Sequence, residues 1–358
     1  MRIFQTIPVI AYGDAVSNDA LALEKVIKEA GHETRIYAKY INPPLTENAA
    51  LHSDKLTGLK PDDIVIHHMS TGSSLNREFA GYNCRKIMVY HNITPPEYFD
   101  GFNFELARVN YEALHEFEAL ADKVDLAIAD SEFNKQDVIK AGFKCPAEVL
   151  PILIPFADYD KEPDEETIGK YSDGRTNIIF TGRIAPNKKQ EDVIRAFACY
   201  KKYYDPGARL FLVGGHGADP DLYYEDLLKF TKRIGVKDVI FTGHVKFAEI
   251  LAYYKLADVF LCMSEHEGFC VPLVEAMYFD VPVAAYGAAA VPGTLGGSGI
   301  CLDRKDPMLF AGVIDRLKND PELKKAVVAG QRERLKDFSY ESIKAAFTDI
   351  MKRFDNRF

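Results

Sequence analysis

The feature that most constrains this chain is an alternation, run through twice, between short apolar strands and amphipathic helices. In the first half the strand-like runs are 2–7, 33–38, 63–68, 86–91, 125–130 and 147–152. In the second half they are 177–182, 208–215, 238–245, 257–264, 281–286 and 299–302. A strand that is apolar on both faces must be covered on both, and helices between parallel strands do this. The segments between the runs supply those helices. Residues 18–31 set Leu21, Leu23, Val26, Ile27 and Ala30 at mostly helical spacing and end at Gly31, a stop signal. Residues 103–123 repeat the pattern through Leu106, Val109, Ala113, Phe117 and Leu120.

Between the two series lies 158–175, polar, acidic and strand-free, which reads as a linker. The expected fold class is therefore α/β, with two Rossmann-like, doubly wound domains facing across a cleft. The expected boundaries are 1–160 for the first domain and 175–338 for the second. A last helix within 339–358 follows with no strand before it, and Ile343, Phe347, Ile350 and Phe354 form one stripe. It is expected to cross back onto the first domain. A length of 358 residues suits two domains. Ligands of such sheets bind beyond the carboxyl ends of the strands, so the cleft is the expected site.

Charge and cysteine usage narrow the function classes. A formal net charge of −9 argues against a nucleic-acid partner, which needs a basic face. The six cysteines, at 84, 145, 199, 262, 270 and 301, form no C-x-x-C pair and no zinc spacing. Cys84, Cys199, Cys262 and Cys301 lie in or beside apolar runs and read as buried free thiols in a reducing cytosol. The opening residues read as a first buried strand rather than a signal peptide, and no run approaches the ~18 apolar residues of a membrane span. The expected location is cytoplasmic.

Four segments carry candidate chemistry. In "SEHEGFCVPLVEAM" (264–277) a strand ends and a short helix begins, with Pro272 suited to its first turn. The backbone of Gly268, Phe269, Cys270 and Val271 then lies at a positive helix end, fit for a diphosphate. Glu267 just before it and Glu275 about one turn in would accept hydrogen bonds from hydroxyls on either side. A nucleotide-sugar has that order: sugar, diphosphate, ribose. In "FTGRIAPNKKQ" (180–190) Arg183 offers a fork and Lys188 a point charge from one strand-to-helix loop. Gly214 in "VGGHG" (213–217) either makes a turn or lets backbone approach phosphate, and His244 and Val245 after the next strand either frame a nucleobase or are ordinary loop residues. In the first half, His91 ends a strand before a Pro-Pro turn, a place for contact with a substrate hydroxyl. His67 and His68 end the strand before it, and one of the two must point away from the cleft. Gly13, Asp14 and Asn18 lie in the first loop, where capping and acceptor contact are both open readings.

With "TGRIAPNKK", "HEGFCVPLVEAM", "VPVAAYGAAAVPGTLGGSGICL" and "YHNITP" in place, the sequence resembles a retaining glycosyltransferase of the large family 4, with the GT-B architecture. The resemblance is closest over about 176–340 and looser in the first half. It implies that Arg183 and Lys188 hold the donor diphosphate, that Glu267 meets sugar hydroxyls and Glu275 the ribose, and that His91 sits near the anomeric carbon. It implies a nucleotide-sugar donor, a carbohydrate or lipid-linked acceptor in surface polysaccharide synthesis, no cofactor and no metal. Gly293, where many members carry Glu, and Asp280, where Gly is common, depart from the pattern. A sugar-nucleotide epimerase of similar architecture and a non-catalytic nucleotide-sugar binder are the competing readings. Helix 103–123 carries Glu105, Glu112, Glu116, Glu118 and Asp122 against Arg108 and Lys123, so at most weak peripheral membrane association is expected.

Overall fold

The computed structural model describes residues 1–217 and 221–358, which divide into two compact units. Unit 1 comprises Met1–Glu97, Glu105–Pro155 and Asp337–Phe358; unit 2 comprises Tyr98–Phe104 and Phe156–Lys336.

Unit 1 runs β1 (Arg2–Ile10), α1 (Ala15–Glu29), β2 (Glu33–Ile41), β3 (Leu51–His52), β4 (Ile64–Met69), α2 (Ser74–Ala80), β5 (Arg85–Tyr90), α3 (Phe104–Ala119), β6 (Leu126–Ala129), α4 (Glu132–Lys140) and β7 (Ala147–Val149). All pairings are parallel, in the order β3-β2-β1-β4-β5-β6-β7. β1 is longer than the apolar run suggests and passes through Pro8. It pairs with β4 only as far as Thr6, so the donor that Pro8 lacks falls where the strand has one neighbour. Helix α1 starts a turn earlier than its apolar residues suggest, because Asp14 caps it: Asp14 Oδ2 accepts from Ser17 N at 2.9 Å and from Ser17 Oγ at 2.8 Å.

Unit 2 runs α5 (Glu165–Tyr171), β8 (Asn177–Thr181), α6 (Gln190–Tyr203), β9 (Arg209–Val213), α7 (Leu222–Ile234), β10 (Val239–Gly243), α8 (Phe247–Leu256), β11 (Val259–Cys262), α9 (Val271–Tyr278), β12 (Val283–Tyr286), α10 (Val291–Leu295), β13 (Ile300–Leu302), α11 (Pro307–Asn319) and α12 (Pro321–Leu335). Its parallel sheet has the order β10-β9-β8-β11-β12-β13. Both sheets thus reverse their strand order once, between β1 and β4 and between β8 and β11, the doubly wound pattern.

The last helix, α13 (Tyr340–Phe354), puts Ile343, Phe347, Ile350 and Met351 into the same core as Ile3, Leu23, Ile64 and Ile87. The segment 158–175 is not a free linker. Asp164 caps α5 by accepting from Thr167 N at 2.8 Å and donates its own N–H to Ala248 O at 2.9 Å. Tyr171 then meets Phe211 edge-on at 4.7 Å. Its acidic composition reflects capping of a short helix whose solvent face is charged. Cys301 is exposed rather than buried, since β13 is an edge strand; Cys262 and Cys270 are buried.

Candidate functional site

In unit 2 the loops after β8 and β11 leave the sheet on either side of its reversal point, where ligands of such sheets bind. They are stitched together. Asn187 Nδ2 donates to His266 O, and Glu265 N to Asn187 O, each at 2.9 Å. Lys188 Nζ then lies 2.6 Å from both Glu267 carboxylate oxygens, with the Glu267 side chain 7% exposed. Burial acts to lower the Lys188 pKa, but the Glu267 carboxylate outweighs it and leaves the pKa raised, so the pair is ionic. Arg183, in the same loop as Lys188, is exposed; its carbonyl accepts from Gln190 Nε2 at 3.1 Å, while its guanidinium has no hydrogen-bond or ion-pair partner among the described residues. The loop thus offers one cation spent on an acid and one unspent.

Glu267 is followed by Gly268, Phe269 and Cys270, and Val271 opens α9. Cys270 takes a left-handed conformation (φ 72°), and Pro272 stands in the first turn, where no intrahelical donor is lost. Two contacts fix this turn from behind: Thr294 Oγ1 donates to Phe269 O, and Ala290 N to Glu267 O at 3.2 Å. Glu275, further along α9, is held by two phenols. Tyr159 donates to Oε1 at 2.9 Å and Tyr254 to Oε2 at 2.7 Å. Burial raises the Glu275 pKa, while those two hydrogen bonds oppose the rise.

Gly214 has a packing reason. A Cβ there would stand 2.2 Å from Gly182 O, and its N–H donates to Thr242 Oγ1 at 3.3 Å. His244 is exposed and Val245 half-buried. His244 lies against the backbone of Gly215, 3.5 Å from where a Cβ on that glycine would be. Asp280 adopts the left-handed backbone (φ 56°) in which Gly is common, and binds Arg332.

In unit 1 the first-loop residues are occupied by local structure. Gly13 turns at positive φ (75°), Asp14 is the cap of α1, and Asn18 N bonds Asp14 O at 2.9 Å. His67 and His68 point to opposite sides, as alternation demands. His67 binds Thr6 and Asn76, each at 2.9 Å. His68 belongs to a polar row that crosses four adjacent strands, from Gln5 inside β1 through His68 near the carboxyl end of β4 to His91 and Asp130 just beyond β5 and β6. Gln5 Oε1 is 2.8 Å from His68 Nε2, His68 Nδ1 is 2.8 Å from His91 Nε2, and His91 Nδ1 is 2.9 Å from Asp130 Oδ2. Asp19 lies nearby and accepts from Leu153 N at 2.8 Å. The His91 ring is 1% exposed, and both of its nitrogens have partners inside the unit. A substrate hydroxyl would have to displace His68 or Asp130 to reach them.

The electrostatics follow from burial. His68 is driven well below the ordinary imidazole range by burial and then by the His91 charge, and burial takes His67 down to about 4. Burial also acts against the charged His91, yet Asp130 outweighs it and the His91 pKa is raised. Asp19 is pushed up to about 7, by burial first and also by Asp130. Asp19, His68 and His91 bring one ligand atom each within 4.8 Å of one another, a grouping that a metal ion would need. The facing ring nitrogens of His68 and His91 are joined by a hydrogen bond.

Sequence reasoning did not find Gln5, His68, Asp19 and Asp130 as a set, nor Tyr159 and Tyr254 around Glu275. A signal for the first group existed. Gln5, Thr6, His67 and His68 are polar residues inside strands whose neighbours are apolar, and buried polar groups need partners.

A family model described as "Glycosyl transferases group 1" matches residues 161–334. O-antigen chain mannosyltransferase B of Escherichia coli is 26% identical over 270 residues, covering 72% of this chain and 68% of that protein. A GDP-mannose-dependent alpha-(1-6)-phosphatidylinositol monomannoside mannosyltransferase of Mycobacterium tuberculosis is 30% identical over 59% of this chain and 57% of its own length. A D-inositol 3-phosphate glycosyltransferase of Corynebacterium kroppenstedtii is 25% identical over 65% of this chain and 54% of its own length, so the matched part spans between about half and two thirds of these relatives. Among solved structures, Anabaena HepE in complex with UDP-glucose has a TM-score of 0.74 at 17% identity, covering 99% of this chain and all (100%) of that one. A sucrose-phosphate synthase from Thermosynechococcus elongatus has a TM-score of 0.76 at 16% identity, with 100% of both chains covered. These structures share the fold, GT-B. No helix among the described residues is long and apolar enough to cross a membrane. Residues 161–334, which take up nearly all of unit 2, are a domain of the glycosyl transferases group 1 family.

Proposed function

We propose that the chain is a retaining glycosyltransferase of family 4. It moves a hexosyl group from a nucleoside-diphosphate sugar to a glycan or lipid-linked acceptor in surface polysaccharide synthesis, on the cytoplasmic side. The observation that carries this reading is the Lys188–Glu267 pair at the reversal point of unit 2, with Arg183 unspent beside it. An ammonium has three N–H donors and Glu267 occupies two, which leaves one for a phosphate oxygen. Arg183 supplies a fork for the same diphosphate, and the first turn of α9 adds backbone donors. Two cations and a helix end neutralise the departing diphosphate, so the reaction runs without a metal. Glu267 reads the sugar hydroxyls. Glu275 exchanges its phenol partners for ribose hydroxyls. Gly268, Phe269, Cys270 and Val271 line the phosphates, and His244 and Val245, with Gly214 behind them, border the base.

The test is a calorimetric panel of nucleoside diphosphates and their sugars in excess chelator, followed by transfer to a mannan oligosaccharide. GDP-mannose is the first donor to try, given the activity named for the mycobacterial relative, and UDP-glucose the second. We expect one diphosphate to bind with a Kd in the range of about 1 µM to about 1 mM. Lys188→Met should weaken it by roughly a hundredfold, the loss of one charge-assisted contact. If no nucleotide of the panel binds the folded wild type, the proposal fails.

A further inference from the structure

The polar row of unit 1 fixes the position of the protons from Gln5 as far as His91 Nε2. Gln5 Nε2 donates to Ala20 O at 3.0 Å, which turns Gln5 Oε1 toward His68. An amide oxygen only accepts, so His68 Nε2 carries the hydrogen. His68 is fully buried and neutral, so its Nδ1 is a bare lone pair. That lone pair is 2.8 Å from His91 Nε2, which must therefore carry a hydrogen too. His91 Nδ1 faces the Asp130 carboxylate at 2.9 Å and donates there. Burial raises the Asp130 pKa too, and the His91 charge and hydrogen bond oppose that rise; with the shared proton on Nδ1, both nitrogens of His91 carry hydrogen and the ring is an imidazolium.

We infer that His91 works as a fixed cation rather than as a base, and that Asp130, His68 and Gln5 are its positioning residues. Only the kinetic consequence rests on the proposed function, with His91 taken as the residue that the family resemblance puts near the anomeric carbon. Gln5 makes no contact with His91, yet it sets the charge of that ring through the tautomer of His68. The row runs β1, β4, β5, β6, four consecutive strands of the sheet, and so spans the reversal point between β1 and β4. The ionisable groups around His91 are Asp14 at the cap of α1, Asp19 on α1, His67 and His68 on β4, and Asp130 after β6. With the ring paired to Asp130, a neighbouring Asp19 carboxylate favours the same charge. Asp130 Oδ1 is buried with no hydrogen-bond partner, so that carboxylate is tied to the protein through His91 alone among the described residues.

The experiment is nitrogen-15 NMR of the histidine rings in the intact chain, with His91 assigned by its absence in His91→Gln. Wild type is expected to show both His91 nitrogens in the protonated range from about pH 6 to about pH 8, where an ordinary histidine with a pKa near 6.5 loses its proton. His68 should show one bare nitrogen throughout. Gln5→Leu frees His68 to place its hydrogen on Nδ1, so His91 Nε2 should become bare by about pH 7. Asp130→Asn removes the counter-charge and should do the same from the other side. One bare His91 nitrogen in wild type at neutral pH overturns the inference, and this result alone decides it if a variant fails to fold. An unchanged His91 spectrum in a folded Gln5→Leu overturns the positioning role. If the chain transfers sugar, Gln5→Leu should lower kcat by roughly tenfold or more with KM little changed. Absence of transfer would leave the NMR result standing, so the two failures are distinguishable.

Discussion

Asp19 sits in an environment that opposes its usual charged state. It is 3% exposed, its Oδ1 accepts from Leu153 N, and its pKa is pushed up to about 7 by burial and by Asp130, against the pull of His91. The sign of the consequence is set by linkage. The folded chain holds this proton more tightly than the unfolded chain does, so the contribution is full below the ordinary carboxylate value. It is lost as pH rises toward about 7, and level above that. Asp19→Asn keeps an oxygen for Leu153 N and removes the titration. The difference in urea-unfolding free energy between wild type and Asp19→Asn should therefore change by at most roughly 4 kcal/mol between about pH 4 and about pH 8. The variant should gain on wild type as pH rises. A pH-independent difference would show that Asp19 is ionised in the folded chain as readily as in the unfolded one. Lys188 presents the opposite case: its buried charge is met by both oxygens of one acid, and geometry rather than proton loss satisfies it.

Among the elements, α13 shows how far pattern reading reaches. Its apolar residues at 343, 347 and 350 recur on one face, and all three enter the core of unit 1; Met351 joins them. Period sets which face of the helix is apolar, whereas the residues it meets, Ile3, Leu23, Ile64 and Ile87, lie far off in the sequence. Truncating Phe347, which is fully buried, to Ala should cost about 3–5 kcal/mol of unit 1 stability, read from the denaturation midpoint of that unit's transition. A loss below about 1 kcal/mol would mean that α13 is dispensable. The strands were legible because both faces of a parallel sheet are buried, so the long ones appear as unbroken apolar runs. β3 was not, since two residues carry no period. Helix α5 was hidden for a related reason: its seven residues include two acids in the first turn and bury Thr167 rather than an aliphatic side chain. In unit 2, Lys188 and Glu267, singled out separately in the sequence, meet as a pair because Asn187 ties their two loops together. The row from Gln5 to Asp130 could not be read in the sequence, since its members lie on or just beyond four strands and only sheet order makes them neighbours.

At the scale of the whole molecule the decisive quantity is charge. The chain carries −9 at neutral pH, and α3 contributes to it while exposing Phe104 and Tyr111, at 83% and 57%. An amphipathic helix with exposed aromatics invites a membrane reading, so the two forces have to be weighed. Two partly exposed rings bring a few kcal/mol of apolar transfer at most. Against this, the Arg108 of α3 is already engaged by Glu105 and by Glu112 within the same helix. What remains on the helix is net acidic, and an anionic leaflet repels it by an amount that grows as salt is lowered. Stable peripheral anchoring needs a basic face or a second signal. Co-sedimentation with vesicles of phosphatidylglycerol and phosphatidylethanolamine at low ionic strength should therefore leave most of the protein in the supernatant, and Phe104→Ala should change the pelleted fraction little. Binding that strengthens as salt is removed would reveal a basic surface that outweighs the acidic helix. Binding that persists in salt but disappears in Phe104→Ala would show that the aromatic face prevails over the charge.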